Sequence, residues 1–477
     1  MKRLNDSMAR LFSRIDTRYL PFADAASPEL PMARLLRLSM FQVSVAMAVV
    51  LLNGTLNRVM IVELGVPSVV VAAMISLPLL FAPLRALIGF KSDTHRSAIG
   101  WRRTPFIWIG SMLQFGGLAI MPFALLILSG DTTGPAWIGV VGAALAFLLV
   151  GAGMHVTQTA GLALATDIAP PEARPRVVAF LYVVLLVGMI ASSLVFGQLL
   201  SNFSQIRLIQ LVQGAAVATV AFNVVALWKQ EHRVPRLGAA PRDQTVFADA
   251  WRHYRSNDHA MRSLVALALG TTAFSMQDIL LEPYGGEILG LSVGQTTVLT
   301  GLFAAGNIVG FIIAARYLAR GIDPYRLAGY GAAIGLLAFP AVIAAAPLEA
   351  AGLFRVGTIG IGLGAGLFAI GTLIAAMNQA TSQDSGLAVG AWGAVQATAA
   401  GIAITLGAGI RDSVAGLAAS GHLGRAFDTP AAGYNTVYHV EIALLIATLV
   451  AIGPLARATH TRHTTTQQKF GLAEFPG

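Results

Sequence analysis

Apolar runs of about 20 residues recur along almost the whole chain of 477 residues. A run of this length crosses the roughly 30 Å hydrocarbon core of a bilayer as an α-helix. Only 12% of the residues are charged, whereas soluble domains carry about 25%. The sequence therefore predicts an all-α polytopic membrane protein with 12 transmembrane helices, at 38–57, 66–88, 105–128, 137–160, 177–200, 207–228, 263–284, 295–316, 326–346, 353–377, 387–409 and 435–456.

The basic residues alternate between the two sides of the predicted membrane. The two tails and the even-numbered loops hold 27 of the 32 lysines and arginines, and the odd-numbered loops hold five. Because cytoplasmic loops are enriched in Lys and Arg, both termini and the central loop are expected in the cytoplasm. Residues 1–20 have an apolar and a basic face, which is typical of an interfacial amphipathic helix or of a frayed basic tail.

The predicted helices fall into two groups of six, the layout of transporters built from parallel six-helix repeats. The expected parts are a cytoplasmic tail 1–37, a six-helix bundle 38–228, a basic cytoplasmic linker 229–262, a second bundle 263–456 and a cytoplasmic tail 457–477.

The loop between the second and third spans combines a glycine, an aspartate and a basic cluster. Its members are Gly89, Asp93, Arg96, Arg102 and Arg103. The pattern resembles the signature loop of the major facilitator superfamily, although the loop is longer and Thr94 stands where a basic residue is common. The resemblance implies the facilitator fold, with glycine supporting helix packing and the charged groups latching the two halves. A solvated basic loop is the alternative interpretation.

The seventh span carries Asp278 and Glu282 one turn apart on one predicted helix face. Tyr284 is expected to belong to this polar face as well. Carboxylates at membrane depth are costly and usually face a cavity or a partner. Asp278 is therefore a candidate functional residue. For Glu282 there are two interpretations, membership of the same polar face or a position at the outer interface without a special role.

Three segments together resemble the PucC/LhaA family, the bacteriochlorophyll delivery branch of the superfamily in purple phototrophic bacteria. They are Gln277–Gly286, Gly89–Pro105 and Gly386–Gly393, and the resemblance extends over 30–457. It implies an assembly factor for the core light-harvesting antenna, which binds bacteriochlorophyll and presents it to antenna polypeptides. It also implies the bacterial intracytoplasmic photosynthetic membrane as the location, and reaction-centre antenna intermediates and pigment-synthesis enzymes as further partners.

Bacteriochlorophyll requires an axial ligand for its magnesium, commonly a neutral imidazole nitrogen. Of the nine histidines, only His155 and His439 fall within predicted spans. Either can ligate the magnesium, and either can equally be a packed histidine bonded to a neighbouring helix. Gln277 and Asn307 are weaker candidates. Apart from this axial ligation no metal site is expected, because no histidine–carboxylate spacing typical of a catalytic metal centre occurs.

Two other functions stay open. An ion-coupled secondary transporter of a small solute would alternate around His155 and Asp278, although spans one to six contain no deep Asp or Glu. A chaperone of antenna polypeptides would bind no pigment. Enzyme activity is not expected, and the glycine run 360–366 indicates helix packing because no strand precedes it. The basic, aromatic central loop favours anionic lipids over nucleic acid as a ligand.

Overall fold

The computed structural model describes residues 30–80, 101–130, 135–170, 173–231, 258–379, 385–424 and 429–460. The regular structure in these ranges is helical throughout. The helices are α1 Met32–Glu63, α2 Ser68–Leu80, α3 Thr104–Leu128, α4 Ala136–Ile168, α5 Arg174–Leu199, α6 Gln205–Leu227, α7 His259–Glu287, α8 Val293–Ala319, α9 Pro324–Ala345, α10 Ala351–Gln379, α11 Ser385–Ala419 and α12 Ala432–His460. Within the described ranges, 11 helices are long and apolar enough to span a membrane, and the described part of α2 is shorter.

Each predicted span corresponds to one helix, which confirms the all-α multi-span fold class. Three helices extend well beyond their predicted bounds, and α1 does so at both ends. α4 continues to Ile168 and α11 to Ala419, and the charged residues within these extensions, Asp167 and Arg411, are paired with Arg103 and Glu287. The domain boundaries stay predictions, since 232–257 in the linker and most of both tails lie outside the described residues.

Glycines bring α10 against α8 and α9. A Cβ atom at Gly362 would collide with the backbone carbonyl of Phe303 in α8. A Cβ atom at Gly364 would lie 2.7 Å from the carbonyl oxygen of Gly331 in α9. Small residues permit this close backbone approach in membrane helices, where dispersion replaces the hydrophobic effect as the driving force for packing. The helix-packing interpretation of 360–366 is confirmed.

The first six helices meet the last six through α5 against α8 and α2 against α11. Polar contacts join them near the end of α1 and the start of α2. The hydroxyls of Thr55 and Thr297 are 3.1 Å apart. The backbone N–H of Val69 donates to Oδ2 of Asp412 at 2.8 Å, so a carboxylate of α11 caps the N-terminus of α2.

An aromatic cluster fills the centre of the second group of helices. Tyr284 of α7 packs edge to face on Tyr434 and Tyr438 of α12, with ring centroids 5.4 and 5.5 Å apart. Phe354 of α10 lies 5.6 Å from the Tyr284 ring. All four side chains are fully buried. The cluster fixes α7 against α10 and α12, next to the candidate site.

Candidate functional site

A cavity of about 250 Å³ lies between α1, α5, α7, α8, α10 and α11. Its wall is partly aromatic, with Phe274 and Phe368 contributing. The polar side chains in the wall come from four helices and are Asn53, Thr271, Ser275, Gln277, Asp278, Glu282, Thr300, Asn307 and Gln396. The cavity therefore brings together four residues that the sequence predicted as candidates, Gln277, Asp278, Glu282 and Asn307.

The backbone of α7 changes geometry beside this cavity. Met276–Ile279 forms a 3₁₀ turn within α7, between an α-helical part that ends at Ser275 and a second one, Leu281–Glu287. Pro283 has no backbone N–H, so the carbonyl of Ile279 lacks the donor that an α-helix would supply. The side-chain amide of Asn57 in α1 donates to this carbonyl instead, at 3.2 Å. The break in α7 is therefore satisfied by a polar contact between the two halves of the molecule.

Asp278 and Glu282 line the same cavity, in agreement with their predicted common face. The amide of Gln277 donates to Oδ1 of Asp278 at 2.7 Å. The hydroxyl of Thr300 in α8 donates to Oε1 of Glu282 at 2.9 Å. Glu282 is only 4% exposed, so the interpretation that it reaches the outer interface is wrong.

Tyr284 does not share this position. Its hydroxyl lies 3.5 Å from the carbonyl oxygen of Val342 in α9, and its ring belongs to the aromatic cluster. The polar face of α7 that meets the cavity therefore includes Asp278 and Glu282, and Tyr284 faces the packed interior instead.

Glu441 of α12 joins these carboxylates, and the sequence analysis did not single it out. It is fully buried, and it lies close to the backbone N–H of Gln277 and to Asp278. The signal was present, since Glu441 is a carboxylate within the apolar run 435–456. Asp278 is 163 positions away from Glu441 in the chain, so only the packing of α12 on α7 reveals that the two are close.

Residues 55–460 match the family described as PUCC protein. The chain belongs to the PucC family. In Rhodobacter capsulatus, the uncharacterized protein in the puhA-bchM intergenic region is 53% identical over 98% of this chain and 99% of its own length. Protein PucC of Rhodovulum sulfidophilum is 56% identical over 87% of this chain and 92% of its own length. The bacteriochlorophyll synthase 44.5 kDa chain of Rhodobacter capsulatus is 29% identical over 89% of this chain and 95% of its own length.

Solved structures of transporters have the same fold as this PucC family member. The nucleoside transporter NupG superposes with a TM-score of 0.66 at 14% identity, over 88% of this chain and 99% of NupG. A bacterial homologue of the human lysosomal transporter Spinster superposes with a TM-score of 0.65 at 13% identity, over 91% of this chain and 98% of that protein. These likenesses concern the fold, and they agree with the predicted facilitator architecture.

The two candidate histidines of the PucC family member lie in different surroundings. His155 in α4 is buried, with 9% of its surface exposed. His439 in α12 is exposed, and its Nδ1 lies 2.6 Å from the carbonyl oxygen of Asn435. A carbonyl oxygen only accepts, so Nδ1 carries the proton and the lone pair of the neutral ring is on Nε2. Neither histidine lines the cavity beside α7.

The signature loop is described in part. Gly89, Asp93 and Arg96 lie outside the described residues, and Arg102 and Arg103 lie within them. Nε of Arg103 is 3.0 Å from Oδ2 of Asp167 at the end of α4. This ion pair lies within the first group of six helices. The expectation that the charged groups of this loop latch the two halves stays a prediction.

Proposed function

We propose that this chain is an assembly factor for the bacterial core light-harvesting antenna, which binds bacteriochlorophyll and presents it to antenna polypeptides. The observation that carries the proposal is the PucC family match over residues 55–460. The similarity to a protein named as a bacteriochlorophyll synthase chain supports the pigment part. The chain would act in the photosynthetic membrane, with both termini in the cytoplasm, and it would not be an enzyme.

Among the four pigment-ligand candidates, His439 suits an axial ligand for magnesium. Its ring is exposed on α12, so a flat macrocycle reaches it without displacing a helix. Its Nδ1 donates to the carbonyl of Asn435, which orients the ring and leaves Nε2 free of a proton. A hydrogen bond to the second ring nitrogen is the usual support for a metal-ligating histidine.

The other candidates suit this role less well. His155 is buried within the first group of helices. The amides of Gln277 and Asn307 donate to the backbone carbonyls of Phe274 and Phe303, respectively. The cavity that both residues line holds about 250 Å³, which is below the roughly 300–1,000 Å³ of pockets for drug-sized ligands. We therefore place the pigment on the lipid-facing surface at α12, where antenna helices can approach it.

The test is the absorbance spectrum of the tagged protein, purified in mild detergent from a pigmented phototrophic host and stripped of antenna polypeptides. We expect stoichiometric bacteriochlorophyll in the wild type and its loss in His439→Leu. His422→Leu, which changes another exposed histidine in the turn after α11, is the matched control and should keep the pigment. His155→Leu should also keep it.

Three results would contradict parts of this proposal. Pigment retained in both His439→Leu and His155→Leu would exclude a histidine ligand. Colourless wild-type protein that still holds antenna polypeptides would favour a pigment-free chaperone. Colourless protein without partners would favour a transporter, a second candidate supported by the carboxylate-lined cavity between the two halves.

A further inference from the structure

Two irregular backbone segments face each other beside the cavity. α7 has its 3₁₀ turn at Met276–Ile279, and α1 is π-helical over Val50–Leu56. Non-helical backbone at membrane depth persists only where it is buried in protein or lines a cavity. Broken helices in secondary transporters supply cation and proton sites in this way, and π-helical turns are frequent at functional sites.

Three carboxylates surround the break in α7. Asp278 and Glu282 project from α7 itself, and Glu441 comes from α12. Within the described ranges, neither oxygen of Glu441 has a hydrogen bond of normal geometry, and Oε2 of Glu282 has none either. The ion pairs found in the described part of the chain include none of the three. Buried polar groups are normally satisfied, so these oxygens indicate something that binds there.

The buried hydroxyl of Tyr438, outside the carboxylate cluster, also indicates that something binds there. The hydroxyl of Tyr438 is fully buried and has no hydrogen-bond partner among the described residues. It lies near Glu441 and Glu282. The cavity reaches the cluster through Glu282 and Asp278, which gives water access to the carboxylates from one side.

The neighbouring basic groups already have acidic partners. The titratable and charged groups on the helices packed around the cluster include Arg58, Glu63, Tyr284, Glu287, Arg411, Asp412, Tyr434 and Tyr438. Arg58 pairs with Glu63, and Arg411 pairs with Glu287 at 2.6 Å and Asp412 at 3.0 Å. The charge of an ionised cluster is therefore not compensated by these side chains.

A proton fits the cluster better than a metal ion. Within the described residues no three acidic or histidine side chains lie close enough together to hold a metal ion. Protonation needs no common coordination centre, because each carboxylate takes one proton from water and becomes a neutral acid. Closely placed buried carboxylates do not all ionise together.

We propose that Asp278, Glu282 and Glu441 form a proton-binding site at the break in α7. The site is independent of the pigment proposal. It exchanges its protons with water through the cavity that Glu282 and Asp278 line. Folding of this half of the chain is then linked to proton uptake.

The test is the pH dependence of the unfolding equilibrium of the full-length protein in detergent–SDS mixed micelles at constant ionic strength, followed by tryptophan fluorescence. The folded state binds more protons than the unfolded state, so stability falls as pH rises above about 4, where carboxyl groups of the unfolded chain ionise. Each extra proton changes the ratio of folded to unfolded protein tenfold per pH unit. We expect Glu441→Gln to remove up to one tenfold change per pH unit from this dependence. Glu349→Gln, the same change at an exposed position between α9 and α10, should leave the slope unchanged.

Equal slopes in the wild type, Glu441→Gln, Glu282→Gln and Asp278→Asn would overturn the proposal. Stabilisation by sodium relative to choline without a pH slope would overturn it in favour of a metal ion. If none of the three variants folds, the infrared spectrum of the wild type decides. A carbonyl band of protonated carboxyl groups that persists above neutral pH supports the site, and its absence contradicts it.

Discussion

Replacing Gly362 by alanine tests the contact between α10 and α8. The new Cβ atom would collide with the backbone carbonyl of Phe303. A backbone carbonyl within a helix cannot turn aside as a flexible side chain does, so the two helices must separate. Inserting a methyl group into a well-packed core typically costs about 1–3 kcal/mol of unfolding free energy.

Alanine also favours the helix by about 1 kcal/mol relative to glycine, and a control must remove this contribution. Gly409 lies within α11, and a Cβ atom there has no neighbour within 4 Å. Gly409→Ala therefore gains the higher helix propensity of alanine without a steric collision. The difference between the two variants isolates the collision, and we expect Gly362→Ala to be less stable than Gly409→Ala by about 1–3 kcal/mol.

The measurement is reversible unfolding of the purified protein in mixed micelles of mild detergent and SDS, monitored by tryptophan fluorescence. Both variants are compared with the wild type at the same pH and ionic strength. Equal stability of Gly362→Ala and Gly409→Ala would refute the backbone contact between α10 and α8 as it is described above.

Two further predictions concern buried polar contacts and use the same unfolding measurement. Tyr434→Phe removes a hydroxyl that donates to Glu287 at 2.8 Å and lies 3.1 Å from the guanidinium of Arg411. Because hydrogen bonds to charged groups contribute about 1.5–3 kcal/mol, Tyr434→Phe should lower the unfolding free energy by that amount. Tyr284→Phe should lower it by less than about 1 kcal/mol, and equal losses in the two variants would contradict this ranking. Glu231→Ala should lower the unfolding free energy by about 2 kcal/mol, the upper range for a helix cap. The same change at an exposed glutamate outside the caps should leave the unfolding free energy unchanged. An unchanged stability of Glu231→Ala would show that this side chain does not stabilise the start of α3.

The helix positions could be predicted from the sequence because each transmembrane helix must satisfy its own backbone in one apolar segment. The break in α7 follows from Pro283, although the partner that makes it tolerable, Asn57, comes from another helix. The ends of α4 and α11 were placed too early. Charged residues close an apolar run on a hydropathy scale, whereas the helices continue past Asp167 and Arg411, which form ion pairs with residues distant in the chain.

The candidate site was predicted only in part, because a sequence shows which residues are unusual in a helix but not which helices pack together. Asp278 is conspicuous as a carboxylate in an apolar run, and its neighbour Glu282 follows from helical periodicity. Glu441 carried the same signal, but its proximity to Gln277 depends on how α12 packs on α7. Tyr284 was expected on the polar face, but it follows Glu282 by two positions and so lies on another side of the helix, with its hydroxyl near the carbonyl of Val342 in α9.

The carboxylate of Glu231 has a mechanical consequence. It follows α6 and accepts hydrogen bonds from the backbone N–H groups of Arg102, Arg103 and Thr104, at 2.6, 3.0 and 2.8 Å. The start of the central segment is thus tethered to the start of α3, and Arg103 extends the tether to Asp167 at the end of α4. A partner that binds the central segment and displaces Glu231 would therefore also displace α3 and α4.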